Sequence, residues 1–235
     1  MRNFFKITLT STALLLGSAS AVAESATVPE FGAIFQMKTA DQASVAAAFV
    51  QFAQSECRQQ APTAIRIMAE TFNGTEEPTH SIIWNFPDAS AMEATFQALG
   101  QCRAWADAGR VLSQHAEFTS QQLVKTLVTG GDYTKDSAYV VWQLSIADEA
   151  AYVAAYKNLM ASQESNGIVS GAYGLWRVQG GANSEVTHIA FAGAPSLAAL
   201  LNNSNPSPAF VDFQKKVAGI RKVHRMNVNR VLADL

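Results

Sequence analysis

The chain has 235 residues, 49% of them hydrophobic, and a formal net charge of −2. A balance this close to neutral argues against a nucleic-acid partner, which would require a basic surface. The apolar share suits a packed globular core, and the length allows one large domain or two small ones.

Met1 to Ala23 has a basic start (Arg2, Lys6), an apolar middle (Leu14-Leu15-Leu16) and the sequence Ala21-Val22-Ala23. This is the pattern of a secretory signal peptide with an A-x-A cleavage site, so residues 1–23 are expected to be removed and Glu24 to become the first residue. Losing Arg2 and Lys6 moves the net charge from −2 to −4. The apolar run is well short of the ~20 residues that span a bilayer, and no later segment reaches that length. The expectation is a periplasmic or secreted protein with no membrane partner.

Phe31 to Lys38 is short and rich in aromatic and β-branched residues, and reads as a strand. Asp41 then stands where it can cap a helix whose apolar face carries Val45, Ala48, Phe49 and Phe52. A second strand is expected over Ala64 to Phe72, closed by the turn-prone Asn73-Gly74, and a third over Thr79 to Phe86. Past Pro87, Asp88 can cap the next helix, with Ser90 and Glu93 offering a competing capping box. That helix is expected to break at Gly100 and resume, and a final strand follows His115.

The series then recurs. With a shift of about 107 residues, Ile34-Phe35-Gln36-Met37 falls on Val141-Trp142-Gln143-Leu144, and Thr79-His80 falls on Thr187-His188. A drift of the shift to 109 pairs His115 with His224. The second copy predicts strands at Ala138 to Ser145, Gly171 to Gln179 and Thr187 to Gly193. Between them lies a helix capped by Asp148 with Tyr152, Ala155, Tyr156 and Leu159 on its apolar face. A later helix, capped by Ser196, breaks around Asn205-Pro206. The predicted organisation is a signal peptide (1–23), a first βαββαβ unit (24–128), a polar linker (129–137) and a second unit (138–235). This is an α+β fold of two tandem ferredoxin-like repeats. Each unit covers one sheet face with helices and leaves the other bare. The bare faces are expected to pack sheet to sheet around a pseudo-twofold α/β barrel.

Cys57 and Cys102 are the only cysteines. In an exported chain a disulfide between them is expected, contributing about 4 kcal/mol on chain-entropy grounds for a loop of roughly 45 residues. No histidine or further cysteine stands at ligand spacing beside either, so no metal site is expected. Hydrolase elbows, phosphate loops, dinucleotide fingerprints and H-E-x-x-H are all absent from the sequence, which disfavours hydrolase and nucleotide-dependent classes.

In element order, repeat and size the chain resembles the dimeric α/β-barrel superfamily, which includes antibiotic-biosynthesis-type monooxygenases, in a tandem single-chain form. The resemblance implies a barrel interior that binds a small organic molecule. The superfamily also includes cofactor-free oxygenases, haem-handling enzymes and proteins with no known catalysis, so no cofactor follows from it.

Strand alternation then proposes what the interior holds. Phe35, Met37, Trp142 and Leu144 make the heavier apolar face and are assigned to the helix side, leaving Gln36 and Gln143 inside. On the third strands Ile83, Ile189 and Phe191 are assigned to the helices. His80, Ile82 and Trp84 in one copy, and His188, Ala190 and Ala192 in the other, are then assigned to the interior.

This makes His188 and His80 candidate catalytic acid–base residues near neutral pH, with Gln36, Gln143 and Trp84 as candidate ligand contacts. The other readings are that these polar residues make ordinary buried hydrogen bonds inside a filled barrel, that the histidines lie solvated near strand ends, or that the two histidines together hold a metal or haem. Trp84 against Ala192 suggests a pocket nearer the second copy. Lys215, Lys216, Arg221, Lys222, His224 and Arg225 form a basic run, read as a solvated face or as an anion attractor. By the resemblance, His224 is the candidate proximal ligand if the protein handles haem. Two function classes remain open: a monomeric or homodimeric binder of a small molecule, with oxygenase- or isomerase-like chemistry open to it, and a structural or interaction module.

Overall fold

The computed structural model describes residues 28–61, 63–181, 185–202 and 206–235. The expected signal peptide and the predicted break at Asn205 lie outside the described residues. The fold is α+β, with strands β1 (Phe31–Thr39), β2 (Ala64–Phe72), β3 (His80–Phe86), β4 (Ala116–Gly130), β5 (Ala138–Ile146), β6 (Tyr173–Gly180), β7 (His188–Ala194) and β8 (Arg221–Asp234). Between them run α1 (Gln42–Ala53), α2 (Glu56–Gln60), α3 (Ala89–Gly100), α4 (Arg103–His115), α5 (Glu149–Ser165), α6 (Leu197–Asn202) and α7 (Pro208–Val217).

The helices start where short polar side chains satisfy free backbone N–H groups. Asp41 accepts from Ser44 N at 3.0 Å, Asp88 from Ala91 N at 2.8 Å and Asp148 from Ala151 N at 3.0 Å. The choice at the third helix therefore falls on Asp88. Helix α3 ends at Gly100, and α4 restarts with Cys102 as its cap. Cys57 on α2 and Cys102 face each other with Cα atoms 5.9 Å apart, a separation compatible with a disulfide.

All neighbouring strands pair antiparallel and close into a barrel in the order β1-β3-β2-β8-β5-β7-β6-β4. Within that ring β4-β1-β3-β2 and β8-β5-β7-β6 are matching arcs, joined where β2 meets β8 and where β4 meets β6. The register fixes which residues correspond between the arcs. Ile34 pairs with Gln122 and Val141 with Asn227, so the last strands are offset by 105 residues, not 109. His115 and His224 therefore do not correspond. His115 precedes β4, whereas His224 is the fourth residue of β8.

The helices cover the outside of the barrel and bury two apolar layers. One holds Met37, Phe49, Phe52, Ile65, Trp84 and Leu112. The other holds Leu144, Tyr152, Tyr156, Leu175, Phe213 and Val217. Each large side chain taken fully out of water contributes about 1.5–3 kcal/mol, so these layers, rather than the interior, supply most of the apolar stabilisation. Freed of that task, the interior need not be filled.

Candidate functional site

The barrel encloses a cavity of about 660 Å³. It reaches the rim at the end where β1, β2 and β5 begin, among Pro29, Thr63, Pro87, Gly131 and Thr134. Its waist is apolar, lined by Ile34, Met68, Ile83, Val141, Trp176, Ile189 and Phe191. Polar groups gather at its two ends.

Gln36 and Gln143 both face this interior, where the alternation of the first strands places them. The assignment of the third strands is corrected. Ser81, Ile83 and Asn85 on β3, with Ile189 and Phe191 on β7, line the cavity. His80, Ile82, Trp84, His188 and Ala190 turn to the helix side. Both faces of β3 carry apolar residues, so apolar weight alone could not choose between them. The polar Ser81 and Asn85 flanking Ile83 were the available signal.

Trp84 is 2% exposed and packs against Phe52 and Trp105, with ring centroids 6.4 and 5.5 Å away. It is a core residue of the helix layer and does not reach the interior. The contrast of Trp84 with Ala192 therefore does not bias the cavity toward either half.

The repeated Thr-His has a local explanation. Thr79 Oγ1 lies 2.8 Å from His80 Nδ1 and accepts from Thr39 N at 3.0 Å, tying the end of β1 to the start of β3. Thr187 does the same with His188 Nδ1 at 2.7 Å and Ile146 N at 3.0 Å. His188 Nε2 also meets Glu149 at 3.0 Å, and Glu149 is paired with Arg177. Burial pushes both imidazoles below their ordinary value; Glu149 pulls His188 back up, and Glu70 pulls His80 back up more weakly than burial lowers it.

Neither His115 nor His224 lines the cavity either. His115 meets Asp41 at 2.9 Å, and His224 bonds Ser145 at 2.6 Å. The residues of the cavity thus supply no histidine to a haem iron. Among the described residues no cluster of three His, Cys, Asp or Glu side chains could hold a metal. The basic run also disperses, since Lys222 pairs with Glu185, Lys215 with Asp212, and Arg225 turns inward.

Arg225 turns toward Glu70, a residue the sequence did not single out. Glu70 Oε1 accepts from Gln36 Nε2 at 3.1 Å and from Ser81 Oγ, while Oε2 accepts from Asn227 Nδ2 at 2.6 Å and Arg225 at 3.2 Å. Four donors saturate a carboxylate that is 8% exposed. Such a group is a structural hub, with no lone pair left to take a proton from a ligand. Gln36 is spent on it as well, because its Oε1 accepts from Ser120 Oγ at 2.9 Å. Gln143 and Gln122, by contrast, line the cavity with no amide partner among the described residues. They are free to meet a ligand.

The rim end has its own cluster, which the sequence reading also missed. Arg66 donates to Asp234 through Nε at 2.6 Å and Nη2 at 2.8 Å, and through Nη1 to the Tyr139 hydroxyl at 2.5 Å. Its guanidinium also lies 5.3 and 5.5 Å from the rings of Tyr133 and Tyr139. The cationic groups near the interior, Arg66 and Arg225, are therefore each matched by a carboxylate.

No family model and no curated protein sequence matches the chain. Solved structures do. A candidate monooxygenase from Fusobacterium nucleatum superposes with a TM-score of 0.62 at 15% identity, covering 89% of this chain and 94% of that one. A candidate monooxygenase from Lactobacillus acidophilus gives 0.59 at 12% identity, covering 88% and 100%. A chlorite dismutase from Candidatus Nitrospira defluvii gives 0.53 at 11% identity, covering 88% and 92%. At these identities the likeness is one of architecture: the chain has the ferredoxin-like α/β-barrel fold that these structures share.

Proposed function

We propose that this is an exported protein that takes a small, largely apolar or aromatic molecule into its barrel, as two fused βαββαβ units enclosing one site. The observation that carries this reading is the open interior. A cavity of about 660 Å³ with an apolar waist and the amides of Gln143 and Gln122 facing it has the size and lining of a ligand site. A barrel serving only as a scaffold would gain stability by filling that space. The matched recurrence of strand order supports the duplication, and the basic, apolar and A-x-A segments of residues 1–23 support export. The architecture shared with candidate monooxygenases supports oxygenase-like chemistry on the bound molecule.

The test is thermal-shift and native mass-spectrometric screening against quinols, fatty acids and aromatic metabolites. One class should bind with one molecule per chain and, at a hundredfold excess over Kd, stabilise the fold by about 2.7 kcal/mol. Filling the waist with Ile83→Trp should abolish that gain. If no class stabilises the protein, the scaffold reading prevails. For export, N-terminal sequencing of protein from the periplasmic fraction should begin at Glu24. Recovery in the cytoplasm with Met1 retained would refute it.

A further inference from the structure

The inner wall of the second half carries two cross-strand pairs of the same kind. Tyr139 on β5 stands opposite Gly193 on β7, and Phe191 on β7 stands opposite Gly174 on β6. A Cβ added at Gly174 would collide with Cζ and Cε1 of Phe191, and one added at Gly193 would strike Cε1 of Tyr139 as well as the Asp136 carboxylate. The far end of the Phe191 ring therefore lies over the bare backbone of β6, and the side of Tyr139 over that of β7. Glycine weakens a strand by leaving nothing to pack, and an aromatic neighbour laid across it covers the gap. Here the arrangement has a second result. A ring that leans along the sheet does not project across the barrel, so space is left at the centre.

Trp176, two residues beyond Gly174 on β6, continues the row. Its ring centroid is 4.5 Å from that of Phe191, which is 6.1 Å from that of Tyr139. All three rings line the cavity. The register gives their counterparts in the first half as Met68, Ile83 and Gly32, none of them aromatic, and matches the two glycines with Arg66 and Asn85. One arc of the interior is thus aromatic where the other is aliphatic. Neighbouring rings in the row stand at 51° and 60° to one another. A guest ring set against them finds stacked and edge-to-face partners, each contributing beyond the area it buries. A saturated guest of the same skeleton gains burial alone.

We infer that Phe191, Trp176 and Tyr139, seated on Gly174 and Gly193, form the recognition wall of the cavity, and that this wall selects molecules containing an aromatic ring over aliphatic ones of equal size. The inference rests on the ligand-site reading of the cavity and narrows it from apolar guests in general to aromatic ones. Recognition then belongs to the second half. Phe191 and Trp176 touch the ligand, whereas Gly174 is a positioning residue that acts by keeping the Phe191 ring against the sheet.

The test compares 2-naphthylmethanol with its decahydro analogue on the full chain, by calorimetry. Both are primary alcohols on one carbon skeleton, so their polar contacts cancel. The saturated compound is the more apolar, so burial alone would favour it. The aromatic alcohol should nevertheless bind about two- to tenfold more tightly, the gain expected of one contact between rings. Phe191→Leu should lower its affinity and leave that of the saturated alcohol unchanged. Gly174→Ala should drive the Phe191 ring into the cavity and weaken both compounds. Adding Phe191→Leu to Gly174→Ala relieves that clash, and should return the saturated alcohol to its affinity for the parent without restoring the preference. Equal binding, tighter binding of the saturated alcohol, or a preference undiminished in Phe191→Leu overturns the inference and leaves the cavity reading intact. Binding of neither alcohol overturns both.

Discussion

Where β2 meets β8, the inner wall carries Glu70, Asn227, Asn229 and Arg225; where β6 meets β4, the corresponding positions hold Val178, Gln122, Val124 and Ser120. Ser81 beside the first junction is matched by Ile189 beside the second. The first junction is a saturated polar network around one buried carboxylate. The second is an apolar cluster of Ile34, Val124 and Ile189 with Trp176 and Val178 packed on it. A half-satisfied network inside a fold is worse than either extreme, so residues at one junction must change together. Two walls of the same geometry have reached opposite, internally consistent solutions, and the matching glutamines of β1 and β5, Gln36 and Gln143, have consequently split in role.

The strongest challenge to this comparison is to convert the polar junction one residue at a time. Glu70→Val gives the position its counterpart's residue but strands the half of the ion pair contributed by Arg225, whose side chain is 12% exposed. Urea unfolding should show a loss of about 3–5 kcal/mol, as for other broken buried pairs. Adding Arg225→Ser, again the counterpart's residue, should recover a substantial part, giving a favourable coupling term in the double-mutant cycle. A single variant as stable as the parent would mean that the network is not a cooperative unit.

A smaller effect separates the glutamines. Gln36→Leu removes one donor from Glu70 and the acceptor of Ser120, and should cost about 1–3 kcal/mol. Gln143→Leu strands no protein group, so its stability should change by less than about 0.5 kcal/mol. Its consequence should appear in ligand binding instead, as a loss of affinity for whichever compound the screen identifies. If the two variants destabilise equally, Gln143 has a protein partner and the division of labour fails.

Much of this architecture was legible in the chain, and the losses have specific causes. The first strands announced their faces because Phe35 and Met37, like Trp142 and Leu144, are heavy on one side and have a single glutamine on the other. Strand β3 did not, because Ile82 and Trp84 alternate with Ile83 between two polar residues, and apolar weight picked the wrong face. On β7 the heavier face, Ile189 and Phe191, is the one that lines the cavity, so both third strands are turned by one residue from the expected parity, and His80, Trp84 and His188 lie on the helix side. Glu70, Arg66 and Tyr139 were missed for a different reason. None stands in a recognisable motif, and only closure of the barrel brings Glu70 to Arg225, 155 residues away, and Arg66 to Asp234, 168 away. The pairing of His115 with His224 shows the opposite hazard, since residue identity aligned two positions that the strand register keeps apart.

The smallest expected effect concerns the two Thr-His pairs and depends on pH. His80 and His188 are both held below their ordinary value of 6.5 by burial. In the unfolded chain each would take up a proton as the pH falls through 6.5, while in the fold each stays neutral until a lower pH. The unfolded state therefore binds more protons in that window, and stability should decline as pH falls from about 6.5 toward the depressed values. A separate decline, at the lower pH where carboxylates protonate, belongs to Glu149, whose own value is lowered chiefly by Arg177. Both histidines should therefore contribute to the slope. Urea midpoints measured between pH 5 and pH 7.5 should show a shallower dependence in His80→Gln and in His188→Gln than in the parent, and a flatter one still in the double variant. A double variant that keeps the parent's slope would assign the acid sensitivity to other groups, and the two histidines would then be only the hydrogen-bonded ties between strand ends that their threonines make them.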